Sequence, residues 1–145
     1  MPHFPSIERV RRAGWREVVL VAEAGAALAL AAAVLHLLPF RRAIRFASGG
    51  SPGSGAGLEP DMLRRIERSV ERAARRVPWR TVCLQKGLAL QWMLRRRGVD
   101  ARLHYGIGKD DAGALCAHVW VSAGETLLTG GEQVPQVRMV ATYPS

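Results

Sequence analysis

The stretch from Pro78 to Gly98 constrains the fold of this chain more than any other, because both of its ends are marked. Pro78 cannot extend a preceding helix, so whatever lies upstream stops there. From Thr81 to Arg97 the apolar residues Val82, Leu84, Leu88, Ala89, Leu90, Trp92, Met93 and Leu94 cover more than one helical stripe. That pattern predicts a largely buried helix. Arg95, Arg96 and Arg97 suit the negative end of its dipole, and Gly98 suits the C′ position beyond it. Gly87 lies four residues after Cys83 and so on the same face. Glycine there costs the helix about 1 kcal/mol, and its use is close approach by another backbone or a substrate.

After Gly98 the hydrophobic period changes to two. Val99, Ala101, Leu103, Tyr105 and Ile107 alternate with Asp100, Arg102, His104 and Gly106, which predicts a strand with one buried face. A turn over 108–113 leads to a second strand over 114–122, with Cys116, His118 and Trp120 on one face and Leu115, Ala117, Val119 and Val121 on the other. A short strand over 126–129 follows, ended by Gly130 and Gly131, and Val137–Val140 reads as a last edge strand. Upstream, Leu58, Met62, Ile66, Val70, Ala73, Ala74 and Val77 give one apolar helical face, opened by Glu59, Pro60 and Asp61. Helices followed by an antiparallel meander make an α+β domain.

The N-terminal part is different. Val18 to Leu38 is a 21-residue apolar run, just long enough to cross a bilayer core. It is rich in alanine rather than leucine, and a central acid such as Glu23 costs insertion about 2.5–3.5 kcal/mol. Arginines flank both ends and set no orientation. These features favour a helix packed on the domain, on a partner or on a membrane surface over a true span. Pro39 ends it. Residues 47–57 are glycine, serine, alanine and proline only, a flexible linker by composition. The expected organisation is therefore an N-terminal basic segment with an apolar helix (1–46), the linker (47–57) and a folded domain (58–145).

A chain of 145 residues fits one core. Two cysteines, Cys83 and Cys116, argue against a disulfide framework, and no cleavable secretory signal is evident, so a cytoplasmic location is expected. The net charge of +9 is uneven: +4 over 1–46, +7 over 58–102 and −2 over 103–145. No zinc-finger spacing, RNA-binding aromatic signature or recognition helix accompanies it, so nucleic acid is not the expected partner. The arginines of helix 60–77 read either as a solvated face or as a docking surface.

Cys83 opens the central helix, where free backbone N–H groups and the macrodipole favour a thiolate. It is a candidate nucleophile, and the plainer reading is a small buried hydrophobe. His118 is a candidate base, with a satisfied core histidine as its alternative. Cys83, Cys116 and His118 lack a fourth ligand and CxxC spacing, which leaves metal binding poorly supported, and no cofactor is implied. His104 and His36 have no partner that spacing identifies.

Together these residues resemble a known family. The run Pro78-Trp79-Arg80-Thr81-Val82-Cys83 through Arg97-Gly98-Val99, then Leu103-His104-Tyr105-Gly106-Ile107 and Ala117-His118-Val119-Trp120-Val121, is similar to the core of the lasso-peptide biosynthesis B2 proteins. These are cysteine peptidases of the transglutaminase-like superfamily, papain-like in logic. The resemblance extends to Gly124 and to the apolar helix ending in Leu37-Leu38-Pro39-Phe40-Arg41-Arg42. It implies a thiol protease that removes the leader from a ribosomally made lasso precursor. Cys83 would be nucleophile and His118 general base and acid. The Cys83 backbone N–H would be one oxyanion donor, with Trp79 or Gln85 near the second.

It also implies partners: the precursor leader, a stand-alone B1-type leader-recognition protein, and an asparagine-synthetase-like lasso cyclase. Residues 18–38 would allow membrane association. The family's orienting acid is the one departure. No Asp follows His118; Thr129 falls near the expected place, Glu125 is in the turn, and Glu132, fourteen residues after His118, is the nearest acid after the strand that follows. Glu132 is the expected third catalytic residue, with a backbone carbonyl as the alternative. An incomplete triad also fits a rival reading, a non-catalytic peptide- or partner-binding subunit of the same fold.

Overall fold

The computed structural model describes residues 7–48, 58–128 and 137–143; Thr129, Glu132 and residues 49–57 of the linker lie outside the described residues. Four helices precede a four-stranded antiparallel sheet: α1 (Ile7–Leu37), α2 (Phe40–Ser48), α3 (Pro60–Ala74), α4 (Cys83–Arg96), β1 (Ala101–Lys109), β2 (Leu115–Ala123), β3 (Thr126–Leu128) and β4 (Val137–Tyr143).

The central helix starts and stops on the residues that mark it. Cys83 is the first residue of α4, after Val82 in an extended conformation. At the other end Gly98 has φ +78°. Its N–H donates to the Arg95 carbonyl and that of Val99 to the Leu94 carbonyl, the paired bonds of a glycine-closed helix end. Gly87 is where α4 meets the sheet. A Cβ there would come within 2.7 Å of Val119 Cγ1 and 2.8 Å of Leu103 Cδ1. The close approach expected of this glycine is thus made by side chains of β1 and β2. Gln91, fully buried, donates through Nε2 to the carbonyls of Ala101 (3.2 Å) and Tyr143 (2.9 Å), fixing α4 to β1 and β4.

The strand order is β3-β2-β1-β4. The expected meander therefore holds only for β1 to β3. β4 returns to the far edge of β1, where it satisfies the backbone groups that a three-stranded meander would leave open. In the β1–β2 ladder Leu103 faces Val121, Tyr105 faces Val119 and Gly106 faces His118. Since Leu103 and Val119 meet α4, alternation puts His104, Trp120, His118 and Cys116 on the opposite face.

The N-terminal helix begins about three turns earlier than the apolar run and is part of the same core. Leu20, Ala24, Ala27, Leu28 and Ala31 recur at helical spacing and are buried with Ile66 and Val70 of α3 and Leu88 of α4. The linker divides the chain in sequence, and the core runs across it. Two acids of α1 have partners: Glu17 meets Arg65 at 2.7 Å and Arg72 at 3.4 Å, and Glu23 meets both terminal nitrogens of Arg97 at 2.7 Å. Residues 14–37 are long and apolar enough to cross a membrane, a test that a core helix or a signal sequence also meets.

Pro39 does more than end α1. Its carbonyl accepts from the N–H groups of Arg42 and Ala43, opening α2, which the sequence pattern did not predict. Proline lacks only a donor that the first turn of a helix does not use, so it can end one helix and begin the next. Ala43 and Ile44 are the buried residues of α2, and Phe40 meets the Tyr105 ring edge-on at 6.1 Å.

Candidate active site

Cys83 is exposed at the start of α4. The Lys86 N–H donates to the Val82 carbonyl at 3.2 Å, so the N–H groups of Cys83, Leu84 and Gln85 precede the first intrahelical bond. Free N–H groups at a helix start favour an anion, the thiolate included. Trp79 Nε1 donates to Gln85 Oε1 at 3.3 Å. The indole is thereby engaged by the Gln85 amide oxygen.

His118 lies in the middle of β2, half-buried, and its nearest described partner is not Cys83. Its Nε2 lies 3.1 Å from the sulfur of Cys116, two residues earlier on the same sheet face. The structure thus brings His118 and Cys116 together, and among the described residues no hydrogen bond joins His118 to Cys83. Alternation puts His118 on the sheet face opposite the one on which α4 packs at Gly87. Along 115–120 the described neighbour of β2 is β1 alone, because β3 pairs only with Val121, Ser122 and Ala123. His118 therefore sits next to an edge of the described sheet. Glu132, the expected third residue, lies outside the described residues. Among the described residues no group of three or more His, Cys, Asp and Glu side chains is placed to hold a metal.

His104 has the partners that its sequence spacing did not reveal. Its Nδ1 lies 2.9 Å from Thr142 Oγ1 and its Nε2 2.7 Å from Ser122 Oγ, so both ring nitrogens are engaged by neighbouring strands. The ring stacks on Trp120, with centroids 5.4 Å apart and planes 21° from parallel. Burial, and secondarily the charge of Arg102, hold its pKa below the ordinary 6.5. His104 and Trp120 form a rigid platform on the His118 face. A cue existed in sequence, since Arg102, His104 and Ser122 all fall on the face assigned to His118, but cross-strand register is needed to pair them.

Beyond this face, at the end of the β1–β2 hairpin, Ile107, Gly108, Lys109, Leu115, Arg138, Met139 and Val140 line a broad cleft of about 810 Å³. Its bordering residues Gly108 and Leu115 are the cross-strand and chain neighbours of Cys116. The basic face of α3 is partly engaged at home: Arg65 and Arg72 hold Glu17, and Arg64 holds Glu67 at 3.0 Å. Arg68, Arg75 and Arg76 are exposed, and none of them forms an ion pair among the described residues.

No curated protein and no solved structure matches this chain. A family model does, over residues 24–142, from within α1 through β4. The second half of α1, the other three helices and nearly all of the antiparallel sheet, with the cysteine opening the helix laid on it, lie within that match. The chain belongs to the transglutaminase-like superfamily.

Proposed function

We propose that this protein is a cysteine peptidase that removes the leader of a ribosomally synthesised lasso-peptide precursor. The observation that carries the reading is Cys83, an exposed thiol at the first residue of the sheet-packed helix in a transglutaminase-like chain. The thiolate attacks the scissile carbonyl, the helix-start N–H groups and the Gln85 amide receive the oxyanion, and an imidazole carries the proton to the leaving amine. His118 is the imidazole on this reading. Its engagement with Cys83 would form around the edge of β2 when substrate is bound, since catalytic hydrogen bonds often tighten only in the complex. Glu132 is proposed as the group that orients it. Leader capture falls to a separate B1-type protein docked on Arg68, Arg75 and Arg76, and closure of the released core to an asparagine-synthetase-like cyclase.

The test is mass spectrometry of the precursor incubated with the partner and this protein, wild type against Cys83→Ala. Release of intact leader and core by the wild type alone is the expected result. The partner of His118 favours a second reading, a peptide-binding subunit without catalysis, because its nearest described partner is Cys116. Under that reading wild type and Cys83→Ala bind precursor equally and neither cleaves it. Charge reversal at Arg68, Arg75 and Arg76 is expected to weaken partner binding; unchanged affinity would remove the docking face from the proposal.

We also propose that the outer face of α1 rests on an anionic membrane surface. Trp15, Val18 and Val19 are exposed at one end of the helix and Leu37 at the other, with arginines beside both groups.

A further inference from the structure

We propose, resting on the peptidase reading, that the cleft at the end of the β1–β2 hairpin holds the substrate polypeptide next to its scissile bond. Lys109 and Arg138 select an acidic side chain there. The place of the cleft relative to the thiol follows from the course of α4 along β1. Gln91 meets the Ala101 carbonyl, and Gly87, four residues earlier, lies against Leu103. Four helical residues rise about 6 Å and two strand residues about 6.6 Å, so helix and strand keep step. Cys83, four residues earlier again, comes level with Tyr105, and α4 starts there.

Past that level the same sheet face opens. Leu103 and Val119 are buried under α4, whereas Ile107, Leu115 and Ala117 are exposed. Ile107 lies two strand residues beyond Tyr105, a distance that two residues of an extended peptide span. A chain whose carbonyl reaches Cys83 can therefore lay a neighbouring side chain on Ile107 and Leu115, in the cleft of about 810 Å³. The cations share this face, since Lys109 pairs with Leu115 across the ladder and Arg138 with Ile107. Both are exposed, and neither forms an ion pair among the described residues. The acid next to Lys109, Asp110, is turned into its own loop, where Oδ1 accepts from the N–H groups of Ala112 and Ala114 at 3.0 and 2.9 Å. An apolar floor between two cations matches a peptide that carries an aliphatic and a carboxylate side chain close together.

The probes are short blocked peptides of leucine and glycine that carry one glutamate or one lysine and a thiol-alkylating end group. One series bears a C-terminal chloromethyl ketone and the other an N-terminal chloroacetyl group, so both sides of the scissile bond are sampled. Alkylation of Cys83 in the full-length protein is followed by peptide mapping. In one series the glutamate probe is expected to react at least about fivefold faster than the lysine probe, and Lys109→Glu with Arg138→Glu to invert the order. Iodoacetamide should alkylate wild type and variant alike, because the thiol itself is untouched. No preference in either series, or one that survives charge reversal, would overturn the proposal. Where melting shows that reversal disturbs the sheet, Lys109→Gln with Arg138→Gln takes its place and is expected to abolish the preference. A precursor left uncleaved while the preference and its inversion hold would remove the peptidase and leave the cleft as a binding site for acidic peptide.

Discussion

Gly87 shows how one missing side chain sets the position of a helix. Alanine there would favour the isolated helix by about 1 kcal/mol. Its Cβ would meet two side chains that are themselves packed between α4 and the sheet, and overpacking costs about 1–3 kcal/mol. Gly87→Ala is therefore expected to be destabilising, by about 1 kcal/mol in net, and Gly87→Val by more, read from denaturant midpoints. His104 gives a prediction of different kind. Because its folded pKa lies below 6.5, the unfolded chain binds more protons between the two values. Its contribution to stability is full above 6.5 and is lost as pH falls through the folded value. The melting temperature of wild type relative to His104→Gln is expected to shrink on acidification through that window. At this scale the sequence was legible where a residue acts on its own chain: Cys83 opens α4 and Gly98 closes it. It was silent where register decides. The seat of His104 between Ser122 and Thr142 and the two carbonyls held by Gln91 join groups whose pairing only the folded sheet fixes.

Elements were legible in proportion to their periodicity. α3, α4, β1 and β2 follow uninterrupted periods, and their observed ends differ from the expected ones by a few residues. α2 was missed because a proline reads as an end, while its carbonyl can also begin a helix. The placement of β4 beside β1 depends on which sheet edge is free, and no local pattern encodes that. The docking of α1 was half legible. Glu23 stood out as an acid in an apolar run, and its bidentate pair with Arg97 ties α1 to the C-terminal end of α4. The Arg97 hydrogen bonds hold the Glu23 pKa below 4.5 against the opposing effect of burial. The pair's contribution is present above that ordinary value and disappears as pH falls through the lower folded one. Glu23→Ala leaves a partly buried guanidinium without its carboxylate and is expected to destabilise by about 2 kcal/mol at neutral pH. Arg97→Ala should produce a similar loss, and the double variant less than their sum, which a double-mutant cycle in denaturant measures.

The whole molecule presents helices on one face of a single sheet, and α1 forms the outer wall of that layer. Only 28% of its apolar 18-residue window is buried, so the face turned from α3 and α4 is apolar and uncovered in the isolated chain. Two arrangements at a bilayer answer that pattern. If α1 spanned the bilayer, Glu17 and Glu23 would have to leave Arg65, Arg72 and Arg97, and the core face of α3 and α4 would lose Leu20, Ala24, Ala27, Leu28 and Ala31. If it lay along the surface, every one of those contacts would remain. Trp15 would sit at headgroup depth, and Arg11, Arg16, Arg41, Arg42 and Arg45 would face lipid phosphates. The second arrangement agrees with the fold, and it makes binding depend on lipid charge. The protein is expected to float with vesicles containing anionic lipid, to float poorly with purely zwitterionic ones, and to be released by high salt. Trp15→Ala with Val18→Ser should weaken flotation while leaving the melting temperature nearly unchanged, because both side chains are exposed. Resistance to salt and to alkaline extraction would instead mean that α1 leaves its place on α3 and α4 to span the bilayer, and equal absence from both kinds of vesicle would assign its outer face to a protein partner.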